Sequence, residues 1–147
     1  MIDPLTDEHF MKKALLEAEL ALEKGEVPVG VVVVAHGQII ARGHNLTETL
    51  TDVTAHAEMQ AITAAANFIG GKYLKDCTLY VTLEPCSMCA GAMYWSQLGR
   101  LVYGASDGKR GYRANNTLLH PKTKVTLGVY EDEASFILQA FFKQKRT

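Results

Sequence analysis

The chain of 147 residues lacks the long apolar run that a membrane-spanning helix needs. Its longest unbroken apolar stretch, Gly30–Ala35, is far shorter than the roughly 20 residues that cross a bilayer. The first residues also lack the basic-then-apolar order of a secretory signal, and three cysteines are an odd number, which disfavours a disulfide framework. We therefore expect a reduced, cytoplasmic protein without a membrane partner.

Repeats, low-complexity tracts and proline- or serine-rich linkers are absent from the sequence as well. Hydrophobic residues make up 48% of the chain and charged residues 21%, which excludes a disordered, collagen-like or coiled-coil protein. A chain of this length buries enough surface to fold without disulfides. We predict a single domain over residues 1–147.

The net charge of only −1 hides an uneven distribution of charged residues. Residues 1–99 contain 6 Lys and Arg against 12 Asp and Glu, whereas residues 100–147 contain 9 against 4. Such asymmetry indicates a basic face or tail, although by itself it does not identify a partner.

Stretches with helical and strand-like patterns alternate along the chain. Apolar residues at helical spacing predict helices near residues 7–24, 54–68, 87–98 and 131–145. β-Branched or alternating stretches predict strands at residues 30–35, 38–45, 78–82, 100–105 and 124–130. Residues 106–122 are polar, contain Gly and Pro, and are predicted to form a loop. This order predicts an α/β structure with helices packed on a sheet.

Two groups of potential metal ligands stand at the starts of predicted helices. Cys86 and Cys89 are three residues apart, so a helix places both sulfurs on one face. A helix N-terminus lowers the pKa of a thiol, and we expect both cysteines to be thiolates near neutral pH. Two thiolates and the imidazole of His56 suit Zn²⁺, and three protein ligands leave its fourth position open for water.

Glu58 is too close to His56 in sequence to be a second ligand on the same helix face. It can instead act as a proton shuttle for a water molecule at the open position. Each residue alone has a plainer interpretation: a redox or buried C-x-x-C pair, a hydrogen-bonded histidine or a surface glutamate. The combination favours a metal site, and Cys77 at a strand start is interpreted as a core residue.

The pattern His-x-Glu followed by Pro-Cys-x-x-Cys resembles the signature of zinc-dependent deaminases. The similarity extends over nearly the whole chain, and the segments that resemble tRNA-specific adenosine deaminases are residues 26–30, 43–45, 52–58, 79–91 and 141–142. The resemblance implies a three-layer αβα cytidine-deaminase-like fold, with a mixed five-stranded sheet and helices on both faces. It also implies a homodimer that hydrolytically deaminates the wobble adenosine of a tRNA anticodon stem-loop to inosine.

The same resemblance implies roles for individual residues. One Zn²⁺ per chain would be held by His56, Cys86 and Cys89, and would activate a hydroxide with Glu58 as the catalytic proton shuttle. The residues that it implies in substrate binding are Asn45, Ala57, Asp107, Lys109 and Phe142. Asn45 and Asp107 also suit turns, so a purely structural role for these two stays open.

Six basic residues of the last third are candidates for phosphate contacts: Lys109, Arg110, Arg113, Lys143, Lys145 and Arg146. Tyr112 and one residue of the pair Phe141-Phe142 can stack on bases, whereas the other phenylalanine is expected in the core. Residues 93–95 also resemble guanine deaminases, so a free-base or nucleoside deaminase is an alternative. A zinc-containing binding domain without activity is a third interpretation, and the apolar residues 90–95 are a candidate dimer interface.

Overall fold

The computed structural model describes residues 5–145. Its helices are α1 (Asp7–Glu23), α2 (Ala57–Ile69), α3 (Ser87–Trp95) and α4 (Glu131–Lys145). Its strands are β1 (Gly30–Ala35), β2 (Gln38–His44), β3 (Cys77–Leu83), β4 (Arg100–Ala105) and β5 (Lys124–Leu127). Every predicted helix and strand is present, and the differences from the prediction lie at their ends.

The five strands form one mixed sheet in the order β2-β1-β3-β4-β5. β1 pairs antiparallel with β2 and β3, and the β1–β2 turn is tight because His36 and Gly37 both have positive φ angles, 51° and 75°. β3, β4 and β5 are parallel and therefore need crossover connections, which α3 and residues 106–123 supply. The predicted mixed sheet of five strands is thus confirmed.

β1 is buried on both faces of the sheet, which explains its unbroken apolar sequence. Val31 and Val33 pack in a core with residues of α2 and α3, whereas Val32 and Val34 pack in a second core with residues of α1. Helix α4 contacts α1 together with β3 and β4. Helices therefore cover both faces of the sheet, as the three-layer fold requires.

Two helices are shorter than their sequence pattern predicts. α2 begins only at Ala57, because Asp52 forms a turn in which its carboxylate accepts hydrogen bonds from the backbone N–H and the hydroxyl of Thr54, at 2.9 and 2.8 Å. α3 ends at Trp95, because Gln97 adopts a positive φ of 54° that no helix can continue. Both boundaries depend on turn geometry and not on hydrophobic periodicity.

The last strand, β5, is also shorter than predicted. It ends at Leu127 because Gly128, with a φ of 85°, turns the chain towards α4. Within residues 5–145, none of the helices combines the length and the apolar character that crossing a membrane requires.

The sheet topology brings the starts of α2 and α3 to one edge of the sheet. β1 is antiparallel to both of its neighbours, so the start of β1 lies beside the ends of β2 and β3, with Gly30 paired to His44. α2 and α3 follow these two strand ends in the chain. Gly43 permits the close approach of α2, because a Cβ atom there would lie 2.7 Å from the carbonyl oxygen of Ala57.

Candidate active site

The three predicted metal ligands come together where α2 and α3 begin. His56 is the residue before α2, Cys86 is the residue before α3, and Cys89 lies in the first turn of α3. His56 Nδ1 is 3.6 Å from Cys86 Sγ and 3.5 Å from Cys89 Sγ, although these residues are 30 and 33 positions apart in the sequence. All three ligand atoms lie within 4.8 Å of one another.

This spacing fits a tetrahedral zinc ion. Zn–S bonds of about 2.3 Å and Zn–N bonds of about 2.0–2.1 Å, at tetrahedral angles, separate sulfur from nitrogen by roughly 3.5 Å. The two sulfur–nitrogen distances of 3.6 and 3.5 Å agree with that separation. The donor set of one imidazole and two sulfurs is also one that zinc prefers.

In the metal-free protein the two cysteines differ in protonation. A hydrogen bond from the Cys89 thiol, together with one from His56, lowers the pKa of Cys86 to about 4. The pKa of Cys89 is raised instead, because its proton is shared with the neighbouring thiolate and because it is buried. In the protein without metal only Cys86 is therefore ionised near neutral pH, and Cys89 must lose a proton when metal binds.

Glu58 is a buried carboxylate in the first turn of α2, with only 5% of the residue exposed. Burial, reinforced by the negative charge of Cys86, raises its pKa to about 7. It also shares a hydrogen bond with Cys89, which places it directly at the ligand cluster. A carboxyl group with this pKa can both accept and donate a proton at neutral pH, which a general acid–base catalyst requires.

Asn45 and Ala57 lie at the same edge of the sheet as the cluster. Asn45 is 8% exposed, and its Oδ1 has no hydrogen-bond partner within residues 5–145. Its backbone N–H donates to Val29 O at 3.2 Å, so the residue extends the β1–β2 pairing beyond His44. A buried polar atom without a partner is costly to the fold, which makes Asn45 a candidate for ligand binding. Ala57 is buried and stands between His56 and Glu58.

Comparison with known proteins identifies the family. A family model described as MafB19-like deaminase matches residues 5–146. The tRNA-specific adenosine deaminase of Bacillus subtilis (strain 168) is 47% identical over 148 residues, which cover 95% of this chain and 91% of that protein. The tRNA-specific adenosine deaminase of Aquifex aeolicus is 46% identical over 144 residues, which cover 95% of each. The chain belongs to the tRNA-specific adenosine deaminase family.

Solved structures extend the comparison from this family to its neighbours. A structure from a study of A-to-I editing by tRNA:A34 deaminases is 44% identical, with a TM-score of 0.82 over 88% of this chain and 99% of that one. Guanine deaminase from Bacillus subtilis is 42% identical, but over only 69% of this chain and 65% of its own, with a TM-score of 0.66. Guanine deaminase from Nitrosomonas europaea is 26% identical, with a TM-score of 0.78 over 92% of this chain and 84% of that one. Of these three structures the tRNA deaminase has the highest identity and TM-score, whereas the Nitrosomonas europaea enzyme covers slightly more of this chain.

Asp107 and Lys109 lie in the loop after β4, beside the cluster. The Asp107 carboxylate accepts hydrogen bonds from the backbone N–H groups of Lys109 and Arg110, at 3.0 and 2.9 Å. Asp107 therefore shapes the turn, which was the structural alternative for this residue. The side chains of Lys109 and Arg110 are exposed to solvent.

Phe142 lies on α4 of this deaminase, the helix that packs on α1, β3 and β4. Phe142 is 45% exposed and its neighbour Phe141 is buried, as expected for one core and one surface residue. Arg146, another candidate for nucleic-acid contact, lies outside the described residues.

Glu26 is a buried carboxylate for which the sequence indicated no role. Its oxygens accept hydrogen bonds from the backbone N–H groups of Glu48 and Thr49 at 3.1 and 2.6 Å, and from the Thr49 hydroxyl at 2.7 Å. Although burial opposes ionisation, these hydrogen bonds together lower the pKa of Glu26. The residue thus fixes the loop between Asn45 and the cluster. The sequence signal for this role is the position of Glu26, a charged residue directly before the apolar residues that lead into the buried strand β1.

Proposed function

We propose that this protein hydrolytically deaminates the wobble adenosine of a tRNA anticodon loop to inosine. The observation that carries the proposal is the buried, protonatable Glu58 at a His-Cys-Cys cluster, in a chain that is 47% identical to a tRNA-specific adenosine deaminase. We propose that residues 1–147 form one deaminase domain, since the family model matches residues 5–146.

His56, Cys86 and Cys89 are the residues that would hold the zinc ion. When bound, zinc acts as a Lewis acid and lowers the pKa of water towards neutrality. Glu58 takes a proton from the attacking water and delivers it to N1 of the adenine, while the oxygen bonds to C6. Glu58 then takes the second proton of that oxygen and passes it to the amino group, which leaves as ammonia when its bond to C6 breaks. In the metal-free protein its pKa is about 7, so Glu58 can both accept and donate a proton at neutral pH.

Asn45 and Ala57 would contact the target base. Asn45 brings a buried side-chain oxygen that has no partner in the described part of the chain. An adenosine that is already unpaired in an anticodon loop can enter such a pocket without the few kcal/mol that opening a duplex costs. The base is thus recognised in an extruded form, which is typical of deaminases that act on nucleic acid.

The tRNA anticodon stem-loop is the proposed partner, and exposed cations near the site would contact its phosphates. Lys109 and Arg110 are exposed on the loop held beside Cys86. Lys143 and Lys145 lie on the last turns of α4, where the exposed ring of Phe142 can stack on a base. Arg146 is proposed for the same role on sequence grounds.

We further propose a homodimer in the cytoplasm. Trp95 at the end of α3 is 77% exposed, and it contacts Tyr94, so the predicted interface at residues 90–95 presents an uncovered aromatic pair. A one-chain mass in sedimentation equilibrium would contradict the dimer. The metal cluster needs reduced cysteines, which fits the reducing compartment in which we place the protein.

A deamination assay with several substrates tests the activity. The zinc-loaded protein is incubated with an anticodon stem-loop that has adenosine at the wobble position, and separately with guanine, adenine, cytosine and their nucleosides. Ammonia release and product mass are measured. We expect inosine in the stem-loop and no product from the free bases. Release from guanine alone would favour the guanine deaminase alternative, which the similarity to the Bacillus subtilis enzyme supports. No product from any substrate would favour a binding domain.

The matched control in this assay is Glu58→Gln, which keeps the shape of the side chain. We expect the variant to retain zinc and to lose turnover by at least about 10²–10⁴-fold, because the amide cannot shuttle a proton. Metal content is measured by atomic absorption on the same sample. A zinc-loaded Gln variant with normal turnover would remove Glu58 from the mechanism.

A further inference from the structure

Glu84 is a second buried carboxylate near the cluster, and it binds a loop that is distant in sequence. Its side chain is 1% exposed although it stands only two residues before Cys86. It accepts hydrogen bonds from the backbone N–H groups of Asp107 and Arg113, at 3.0 and 3.2 Å. Arg113 also donates from its guanidinium, from Nε at 3.3 Å and from Nη2 at 3.1 Å.

The Arg113 side chain makes several contacts within the protein, although 47% of it stays exposed. Its Nη2 also donates to Ser106 Oγ at 2.9 Å, and its guanidinium carbon lies 5.6 Å from the centre of the buried Tyr103 ring. Nε therefore bonds to Glu84, and Nη2 bonds to both Glu84 and Ser106. The sequence suggested Arg113 for phosphate contacts, whereas in the structure its Nε and Nη2 are bonded to Glu84 and Ser106.

The loop that Arg113 anchors lies directly against the segment that carries Cys86. Gly111 and Cys86 form an antiparallel backbone bridge, and the Tyr112 N–H donates to Pro85 O at 2.8 Å. A side chain at Gly111 would overlap Glu84 Oε2, so the loop approaches as closely as a glycine allows. The same loop exposes Lys109 and Arg110.

We propose that Arg113 is a positioning residue, which by its hydrogen bonds to Glu84 locks residues 106–113 onto the segment that bears Cys86 and so presents Lys109 and Arg110 to the RNA. The part that concerns RNA rests on the proposed function, whereas the loop clamp does not. The carboxylate of Glu84 is surrounded by donors of this one loop, so Arg113 acts on the loop and does not touch the reacting atoms.

Arg113→Lys separates this role from a phosphate contact, because lysine keeps the charge but cannot form the two-nitrogen fork. If Arg113 contacted only phosphate, the lysine variant would leave the loop of the RNA-free protein unchanged. If it positions the loop, the variant loses the bonds from Nε and Nη2 to Glu84 and loosens the loop. Arg110→Lys is the matched control, because Arg110 lies on the same loop and its exposed side chain is not held on Glu84.

Amide hydrogen exchange of the zinc-loaded proteins tests the clamp without any substrate. We expect the protected amides of Asp107, Tyr112 and Arg113 to exchange at least about tenfold faster in Arg113→Lys than in the wild type, with equal zinc content. Exchange in β3 and in Arg110→Lys should be unchanged. Wild-type protection of the loop in Arg113→Lys would overturn the proposal.

Steady-state kinetics on the stem-loop test the consequence for RNA. We expect Arg113→Lys to raise KM about tenfold with kcat within about threefold of the wild type, because the basic side chains are displaced and Glu58 is not. An unchanged KM together with a loosened loop would overturn the link to RNA. If the wild type itself does not deaminate the stem-loop, the proposed function fails, and the exchange measurement still decides the clamp.

Discussion

Glu58 and Cys86 are ionisable groups at one cluster whose pKa values move in opposite directions. Burial raises the pKa of Glu58 to about 7, whereas hydrogen bonds from Cys89 and His56 lower that of Cys86 to about 4. A carboxyl group that keeps its proton beside a thiolate avoids two adjacent negative charges. The protonated Glu58 therefore lies where the proposed reaction needs a proton donor.

This titration predicts how the stability of the metal-free protein depends on pH. A carboxyl group whose pKa is raised from 4.5 to about 7 on folding stabilises the fold below pH 4.5 and loses that contribution as pH rises through 7. Glu58→Gln carries no such group. We expect the variant to gain about 3 kcal/mol of unfolding free energy relative to the wild type between pH 4.5 and pH 8.

The measurement is urea unfolding of both proteins in the presence of a chelator at a series of pH values. Both proteins contain Cys86, so only the part of its titration that is coupled to Glu58 remains in the difference. A difference in unfolding free energy that stays constant with pH would contradict the raised pKa of Glu58.

Among the secondary-structure elements, the start of α2 lies in close contact with β2. Gly43 lies under the first turn of the helix, where a Cβ atom would be 2.7 Å from Ala57 O and 3.1 Å from Ala61 N. That turn carries Glu58 and follows His56. Small displacements of the helix therefore move a proposed ligand and the proposed proton shuttle together.

Gly43→Ala is expected to lower the unfolding free energy by about 1–3 kcal/mol, because the added methyl group pushes α2 away from the sheet. We also expect weaker zinc retention in a competition with a chelator. Gly71→Ala, just past the other end of α2, is the control, since nothing lies within 4 Å of a Cβ atom there. Equal stability and equal zinc retention in the two variants would show that the contact is unimportant.

Basic side chains of the last third lie at two opposite edges of the whole molecule. Lys109 and Arg110 follow the end of β4 at the edge that holds the cluster. Lys122 and Lys124 line a cleft of about 560 Å³ at the other edge, where β3, β4 and β5 begin. The number of basic residues in the last third of the sequence therefore overstates how many basic side chains face the site.

The salt dependence of stem-loop binding should separate these two edges. Each lysine or arginine that contacts a phosphate of single-stranded RNA contributes about 0.7 to the slope of log K against log salt concentration. We expect Lys109→Ala and Arg110→Ala each to reduce the slope by about that amount. Lys122→Ala and Lys124→Ala are the controls and should leave it unchanged. A slope near zero for the wild type would contradict a phosphate-binding face.

Local pattern was sufficient for most of the fold. The unbroken apolar run Gly30–Ala35 predicted a buried strand, and both faces of this strand are covered in the structure. The alternation of strands with helices predicted the layered α/β sheet. Helix ends were predicted less well, since Asp52 and Gln97 set them through turn geometry that periodicity does not contain.

Imidazole, thiol and carboxyl groups at two helix starts are a local pattern, so the donor types of the candidate site can be read from the order of the amino acids. Which distant groups meet depends on the fold: His56 meets the cysteine pair, Glu26 meets Thr49, and Glu84 meets Arg113. A buried carboxylate takes whichever donors the fold brings to it, and residue spacing along the chain does not specify them.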